Sequence, residues 1–178
     1  MDFFTVPTVT FRVLYVLFVI QHHRRTIVHV NVTQHPTSAW VRQQLREAFP
    51  FDQRPGHLLM DHDSIFSAEV AKTLMGMQIQ PLRTTVQSPW QNGVAERWVG
   101  TCRRELLDHV IVLHEEHLRR LLYAFQNYYH TDRTHLSLGK DPPVSRPVCV
   151  ASSPSSATLI SLPRIGGLHH RYEWREAA

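Results

Sequence analysis

The first third of the chain combines long apolar runs with short polar breaks, a pattern typical of β-strands. Residues 2–33 predict three consecutive strands, because β-branched and aromatic residues favour extended chain. A turn at Pro7–Thr8 separates the first two strands, and the polar segment Gln21–Arg25 separates the second from the third. The apolar run Val13–Ile20 is nearly continuous, which indicates a strand that is covered on both faces.

Beyond residue 36 the apolar positions recur every three or four residues, which indicates amphipathic helices. Thr37 or Ser38 caps a helix that is predicted to end near Phe49. Two long helices are predicted further on, at roughly Val94–Val112 and Glu115–Tyr129. Shorter predicted elements are the buried strand GHLLM, the helix SAEVAKTLMGM, the edge strand QIQPLR, and a C-terminal β-hairpin formed by TLISLP and LHHRYEW around Gly166–Gly167. This order of elements predicts a mixed α/β protein built in layers.

Composition adds a preference for an anionic partner. The chain of 178 residues has a formal net charge of +4, and only two of its 19 basic residues are lysines. Arginine can bind phosphate with two parallel hydrogen bonds, so this composition favours a polyanion. Cys102 and Cys149 lack the spacing of a metal site or a disulfide framework, which favours a reducing, intracellular setting. Pro7 and Arg12 interrupt the apolar run Phe3–Ile20 and argue against a signal peptide or membrane span there.

Three carboxylates occupy positions that fit a metal-dependent phosphoryl-transfer site. Asp2 lies on the first predicted strand, Asp61 at the end of the fourth, and Glu96 in the first turn of a predicted helix. If the first and fourth strands are neighbours, Asp2 and Asp61 share one rim of the sheet. Carboxylates from separate elements can hold divalent cations and leave coordination sites for phosphate. Glu96 also has a purely structural interpretation, since the helix dipole favours a carboxylate near a helix N-terminus.

Asp63 competes with Asp61 for the role of metal ligand, because residues two apart on a strand lie on the same face. Asp61 is preferred, since it directly follows the apolar run Leu58–Met60. Asp63 is expected to hydrogen-bond the turn that follows it.

Four motifs carry a resemblance to a known family. DFFTV, MDHDSIF, SPWQNGVAERWVGTCRREL and NYYHTDRTHLSLGKDPP resemble, in order and spacing, the catalytic core of retroviral-integrase-type transposases from bacterial insertion sequences. The resemblance covers nearly the whole chain and implies a ribonuclease-H-like fold, with a mixed five-stranded sheet and flanking helices. It assigns the family's Asp-Asp-Glu triad to Asp2, Asp61 and Glu96. This chain departs from many relatives by carrying His62–Asp63 where they have Asn-Gly.

The resemblance also implies an activity, cofactors and partners. The activity is DNA strand cleavage and strand transfer with two Mg²⁺ or Mn²⁺ ions, on element ends and target DNA. The expected assembly is a homo-oligomer in the DNA complex, without a membrane, in the bacterial cytoplasm at the nucleoid. Two alternatives stay open: a remnant that binds DNA or a full-length transposase without turnover, and a cellular ribonuclease-H-like nuclease.

Residues 1–147 are predicted to form the catalytic core, and residues 148–178 a linker and C-terminal tail. In the family several strand residues precede the first aspartate, whereas here only Met1 does. The resemblance therefore implies a core that is shortened at its N-terminus, marginally stable and weakly active.

Candidate DNA-binding residues follow the predicted active-site segment. They are Gln91, Asn92, Arg97, Arg103 and Arg104 around the first long helix, with Arg133 and His135 after the second. Arg103 lies seven residues after Glu96 and so returns to nearly the same helix face, with Gly100 between them leaving room for a DNA backbone.

Each of these candidates has a structural alternative. Arg103 can instead pair with Glu96 or Asp108. Arg133 and His135 can lie in a loop that is held to the core by Tyr128, Leu136 and Leu138. Trp90 and Trp98 can stack on bases, although packing in the core is the preferred interpretation of both.

Overall fold

The structure is a computed structural model of the chain, and it describes residues 1–50, 52–85, 89–147 and 157–176. Contacts between Cα atoms divide the chain into two compact units, Met1–Arg120 and Leu121–Ala178. In the described residues no helix is long and apolar enough to cross a membrane.

The first unit begins with the three predicted strands. They are β1 (Asp2–Pro7), β2 (Val13–Ile20) and β3 (Ile27–Thr33), which pair antiparallel in the order β1-β2-β3. Residues 16–20 of β2 are all buried, so this strand is covered on both faces as its sequence predicts. Asp2 pairs with Phe18, which fixes the start of β1 against the second half of β2.

Two further strands, β4 (His57–Met60) and β5 (Gln80–Arg83), pair in parallel. The amino group of Met1 donates a hydrogen bond of 2.6 Å to the carbonyl oxygen of Leu59, which sets the start of β1 beside β4. The mixed α/β fold class is therefore confirmed. Its five strands are hydrogen-bonded as a sheet of three and a sheet of two rather than as one continuous ladder.

The described residues also form four α-helices: α1 (Ser38–Ala48), α2 (Ala68–Gly76), α3 (Gly93–Glu105) and α4 (Glu115–Thr131). The Thr37 hydroxyl caps α1 by accepting a hydrogen bond of 3.2 Å from the backbone N–H of Trp40. The predicted helix Val94–Val112 is wrong in length, because α3 ends at Glu105 and a 3₁₀ turn follows at Leu107–His109. The last residue of the predicted helix, Val112, instead accepts a hydrogen bond of 2.7 Å from Val9 N–H.

Apolar side chains from α1, α2 and the strands form the main core of this unit. Its buried members include Leu17, Val19, Val41, Leu45, Leu58, Met60, Phe66, Val70 and Leu74. Burying each such side chain contributes roughly 1.5–3 kcal/mol. A second apolar contact involves α3, since the ring centroid of Trp98 lies 4.3 Å from that of Phe18 and 5.7 Å from that of Phe4. Trp98 thus holds the start of α3 against β1 and β2.

In the second unit, β6 (Ala157–Arg164) and β7 (His169–Glu176) form the predicted antiparallel hairpin. The hairpin is fixed by the buried carboxylate of Asp132, which accepts hydrogen bonds from Arg164 at 2.5 Å and Arg171 at 3.3 Å. His169 stacks on Tyr128 with ring centroids 4.4 Å apart. Both anchors are long-range in sequence, and the hairpin belongs to the second unit.

Candidate active site

Asp2 is the most constrained carboxylate of the predicted triad. It is half-buried, and its two oxygens accept hydrogen bonds from the backbone N–H of Phe3 at 2.7 Å and from the side-chain amide of Asn92 at 2.8 Å. Burial raises the pKa of Asp2, and the negative charge of Asp61 adds to the rise, against the opposing effect of these hydrogen bonds. The carboxylate therefore carries a negative charge that its surroundings do not fully compensate.

Asp61 follows β4 directly and lies near enough to Asp2 for the two charges to interact. Its carboxylate accepts a hydrogen bond of 3.0 Å from the backbone N–H of Asp63. The Asp63 carboxylate instead accepts a hydrogen bond of 2.9 Å from the backbone N–H of Ile65, within the turn before α2. This turn keeps the Asp61 side chain at the end of the strand, beside β1.

His62 ties the ends of β4 and β5 together. Its imidazole Nε2 is hydrogen-bonded to the carbonyl oxygen of Thr84 at 2.5 Å. His62 belongs to the His62–Asp63 pair that departs from the Asn-Gly of the family that the sequence resembles, and it has a structural contact of its own.

Glu96 lies in the first turn of α3 with its side chain exposed. Among the described residues, no three His, Cys, Asp or Glu side chains are grouped as they would be around a metal ion. Asn92 is hydrogen-bonded to Asp2, and the charge of Asp61 acts on the same carboxylate, but Glu96 is not grouped with the two aspartates. Asn92 directly precedes α3, and Glu96 follows it by four residues in the first turn of that helix.

The two aspartates fit a divalent cation chemically. Mg²⁺ prefers oxygen ligands and usually retains several waters, so one or two protein carboxylates are sufficient for one ion. Burial and the charge of Asp61 both disfavour the ionised form of Asp2, which is why its pKa is raised. A bound cation would stabilise the ionised carboxylate, because its positive charge offsets both the repulsion from Asp61 and the cost of burial. Asp2 and Asp61 could therefore hold such an ion.

Hydrogen bonds of two side-chain amides hold the segment before α3 in place. Gln91 accepts a hydrogen bond of 2.7 Å from the backbone N–H of Thr85 and donates one of 3.2 Å to the hydroxyl of the same residue. Asn92 binds Asp2. Sequence reasoning proposed both residues for DNA and missed these contacts, since Asn92 is 90 residues from Asp2.

Two arginines of α3 have contacts within the protein. Arg103 donates a hydrogen bond of 3.3 Å to the carbonyl oxygen of Thr5, and its guanidinium lies over the ring of Phe4 at 5.9 Å. The alternative ion pairs of Arg103 with Glu96 or Asp108 are not found among the described residues. The Arg104 guanidinium lies 3.0 Å from where a Cβ atom of Gly100 would be. Because that side chain is exposed, an open approach of DNA at Gly100 requires it to move and stays a prediction.

Three arginines of α3 are exposed on the surface, Arg97, Arg103 and Arg104. The two tryptophans differ sharply: Trp98 is 2% exposed and confirms the packing interpretation, whereas Trp90 is 75% exposed and contradicts it.

In the second unit, Arg133 and His135 both contact Tyr129. The Arg133 guanidinium lies over the Tyr129 ring at 5.7 Å, and the His135 ring meets the same ring edge-on at 4.8 Å. Of the three residues in the alternative interpretation, Leu136 is 86% exposed, whereas Tyr128 and Leu138 are half-buried.

Comparison with known proteins supports the fold. Residues 77–143 match the family model of the integrase core domain. The chain is similar to a chain of the simian T-cell lymphotropic virus intasome in complex with PP2A regulatory subunit B56 gamma, with 16% identity and a TM-score of 0.65. That alignment covers 98% of this chain and 64% of the viral chain, so this chain spans less than two thirds of its length.

Two catalytic core domains are also similar. The HTLV-2 integrase catalytic core domain in complex with magnesium (trimeric form) has 14% identity and a TM-score of 0.57, over 78% of this chain and 89% of that chain. The catalytic core domain of BIV integrase has 16% identity and a TM-score of 0.55, over 80% and 88%. The search of curated proteins gives no match. The chain therefore has the ribonuclease-H-like fold of retroviral integrase catalytic cores, and part of its sequence matches the integrase core domain.

Proposed function

We propose that the chain is the catalytic core of a DNA-cutting and DNA-joining enzyme of the integrase and transposase type. One observation supports the proposal: Asp2 at the start of β1 accepts a hydrogen bond from Asn92, in the segment that matches the integrase core domain, and the charge of Asp61, after β4, acts on the same carboxylate. The fold, the matching segment and the paired carboxylates are three separate observations that lead to the same chemistry.

In this proposal Asp2, Asp61 and Glu96 hold two Mg²⁺ or Mn²⁺ ions. Bound divalent ions would activate a water or a DNA 3′-hydroxyl and stabilise the leaving oxygen of the phosphodiester. The raised pKa of Asp2 supports this role, because a cation relieves the repulsion from Asp61. One of the similar solved structures is an integrase core in complex with magnesium. Glu96 joins the other two carboxylates from the exposed first turn of α3, where its side chain is free to change rotamer.

More specifically, we propose that the chain is a transposase of a bacterial insertion sequence, which acts on element ends and target DNA as a homo-oligomer. The order of the four motifs along the chain supports it. The exposed Arg97, Arg103 and Arg104 on α3, beside Glu96, supply positive charge where DNA phosphates would lie. Asn92 and Gln91 act in this proposal by fixing the segment that bears these residues.

A cleavage assay tests the proposal. Purified protein is incubated with labelled duplex DNA, and with the matching RNA–DNA hybrid, in Mg²⁺, in Mn²⁺ and in chelator. We expect metal-dependent strand cleavage of DNA, reduced more than about 100-fold in Asp61→Asn and Glu96→Gln, since even the outer partners of metal ligands contribute 10–100-fold. Glu116→Gln, an exposed glutamate of α4, is the matched control and should retain full activity. Cleavage of the hybrid alone would instead indicate a ribonuclease-H-like nuclease.

A second candidate is a chain that binds DNA without cutting it. The separation of Glu96 from the two aspartates favours it, because two carboxylates alone make a poorer two-ion site. Salt-sensitive DNA binding without metal-dependent cleavage would support this candidate over the enzyme.

A further inference from the structure

The turn between β1 and β2 carries an aromatic side chain that lies almost entirely in solvent. Phe11 is 91% exposed, and its backbone has a φ of +61°, in the left-handed region that bulky residues rarely adopt. The backbone N–H of Phe11 donates a hydrogen bond of 2.9 Å to the carbonyl oxygen of Thr8, which closes the turn. A strained backbone and an exposed ring are both unfavourable in an isolated chain, so they indicate a contact with another molecule.

A cavity of about 300 Å³ lies next to this turn. Its walls come from β1, from the turn after β1 and from the segment between α3 and α4, and a hydrogen bond of 2.7 Å from Val9 N–H to the carbonyl oxygen of Val112 joins them. Thr8, which is hydrogen-bonded to Phe11, also lines the cavity, so the exposed ring and the cavity are neighbours. The apolar residues of the lining are Val6, Val9, Leu107, Val110, Ile111 and Val112.

The cavity is large enough to receive a phenylalanine ring. An engineered apolar cavity of about 150 Å³ binds benzene, and the volume available here is larger. Two residues of the lining, Val9 and Ile111, are more than half exposed, and an inserted ring would cover them. The insertion would remove apolar surface of the ring and of both aliphatic side chains from water, which favours association.

The charges beside the ring and in the cavity are complementary. Arg12 directly follows Phe11 and is exposed, and Asp108, also exposed, lines the cavity. Neither of the two forms an ion pair with another of the described residues. The other charged residue of the lining, Arg103, donates a hydrogen bond to Thr5. A phenylalanine ring that enters the cavity from a second molecule would bring the arginine beside it towards Asp108.

We propose that two copies of this chain associate through this surface, with Phe11 of each copy in the cavity of the other and Arg12 paired with Asp108 across the contact. A two-fold axis between the ring and the cavity exchanges their positions, so both contacts form together and the association closes at two copies. This inference rests on the proposed function for the expectation of a homo-oligomer, and it deepens that function by naming the surface that the copies share.

The test is sedimentation velocity of the full chain over a wide range of concentration, without DNA or divalent cation. The main variant is Phe11→Ala, and Tyr123→Ala is its matched control, since Tyr123 is a 75% exposed aromatic side chain on α4. Arg12→Glu, Asp108→Lys and the double variant test the charge pair. Thermal unfolding verifies that each variant is folded, and DNA cleavage in Mn²⁺ is measured separately.

We expect the wild-type chain to show a monomer–dimer equilibrium. Phe11→Ala should raise the dissociation constant of the dimer about 30-fold or more, the usual effect of removing an aromatic anchor from the centre of an interface. Tyr123→Ala should leave the dissociation constant unchanged. Each single charge reversal should weaken the dimer about tenfold, because it places like charges opposite each other. The double variant restores the pair in reverse and should recover most of the wild-type affinity.

A wild-type chain that stays monomeric at every concentration would overturn the inference, and so would a dimer that Phe11→Ala leaves intact. Charge reversals without recovery in the double variant would refute the pair of Arg12 with Asp108. Loss of the dimer in Tyr123→Ala but not in Phe11→Ala would place the interface on α4 instead. These results leave the proposed function standing if metal-dependent cleavage persists. A chain that dimerises as predicted but cuts no DNA would overturn the proposed function and leave the inference standing.

Discussion

The side-chain amide of Asn92 donates a hydrogen bond of 2.8 Å to the carboxylate of Asp2, across 90 residues of sequence. This contact joins the start of β1 to the start of α3, the two elements that bear the first and last carboxylates of the predicted triad. Glu96 lies one helical turn beyond Asn92. The Asn92–Asp2 bond is therefore one of the links between α3 and the first strand, together with the contact of Trp98 with Phe4 and the hydrogen bond from Arg103 to Thr5.

Asp2→Asn should make the chain more stable at neutral pH in the absence of metal. Burial and the charge of Asp61 raise the pKa of Asp2 above its ordinary value of 3.8, so the folded chain holds this proton more tightly than the unfolded chain. The stability that Asp2 contributes therefore falls as the pH rises from 3.8 through the raised pKa, and stays lower above it. Asparagine carries no charge and removes that loss.

Thermal unfolding as a function of pH measures this effect. The melting temperature of Asp2→Asn should exceed that of the wild type at pH 7, and the difference should shrink below about pH 4, where both residues are neutral. A difference that is independent of pH would refute an electrostatic origin.

Asn92→Ala should raise the pKa of Asp2 further. The Asn92 amide stabilises the ionised carboxylate, so its removal favours the protonated form. A pH titration of the Asp2 carboxyl carbon by NMR reports the shift directly. Asn127→Ala, an exposed asparagine on α4, serves as control and should leave the titration unchanged. An unaltered titration in Asn92→Ala would mean that the contact is not formed in solution.

Trp98→Ala should destabilise the chain by about 3–5 kcal/mol, the usual cost of deleting a large buried aromatic side chain. Trp98→Phe should cost much less, because the indole N–H of Trp98 is buried without a hydrogen-bond partner among the described residues and phenylalanine removes that group. Chemical denaturation of the two variants measures both values. Equal losses for the two variants would contradict the account of this packing site.

Local sequence patterns predicted the elements whose form depends on local chemistry. The strands of residues 2–33 and the Thr37 cap of α1 were predicted because β-branched runs and capping hydroxyls act within a few residues. The end of α3 at Glu105 was not predicted from local patterns. Val112 is held in a non-helical position by a hydrogen bond from Val9, which is far away in sequence.

Contacts between distant segments set the limits of prediction at the candidate site. Periodicity could not distinguish the exposed Trp90 from the buried Trp98, because Trp90 lies in a 3₁₀ turn outside the helix. The role of Asn92 depends on β1 and was invisible from its own neighbours. Asp2 and Asp61 were expected at one rim only if the first and fourth strands were neighbours, and the hydrogen bond from Met1 to Leu59 sets the start of β1 beside β4.

Anomalous diffraction from crystals grown with Mn²⁺ and duplex DNA tests most directly whether Asp2, Asp61 and Glu96 hold divalent cations. We predict a manganese peak between the Asp2 and Asp61 carboxylates, with the Glu96 carboxylate moved to within ligand distance, about 2.1 Å for a small divalent ion with oxygen ligands. A well-ordered crystal with Mn²⁺ present but no peak at Asp2 and Asp61, or with the ion bound elsewhere and Glu96 still apart, would contradict the claim.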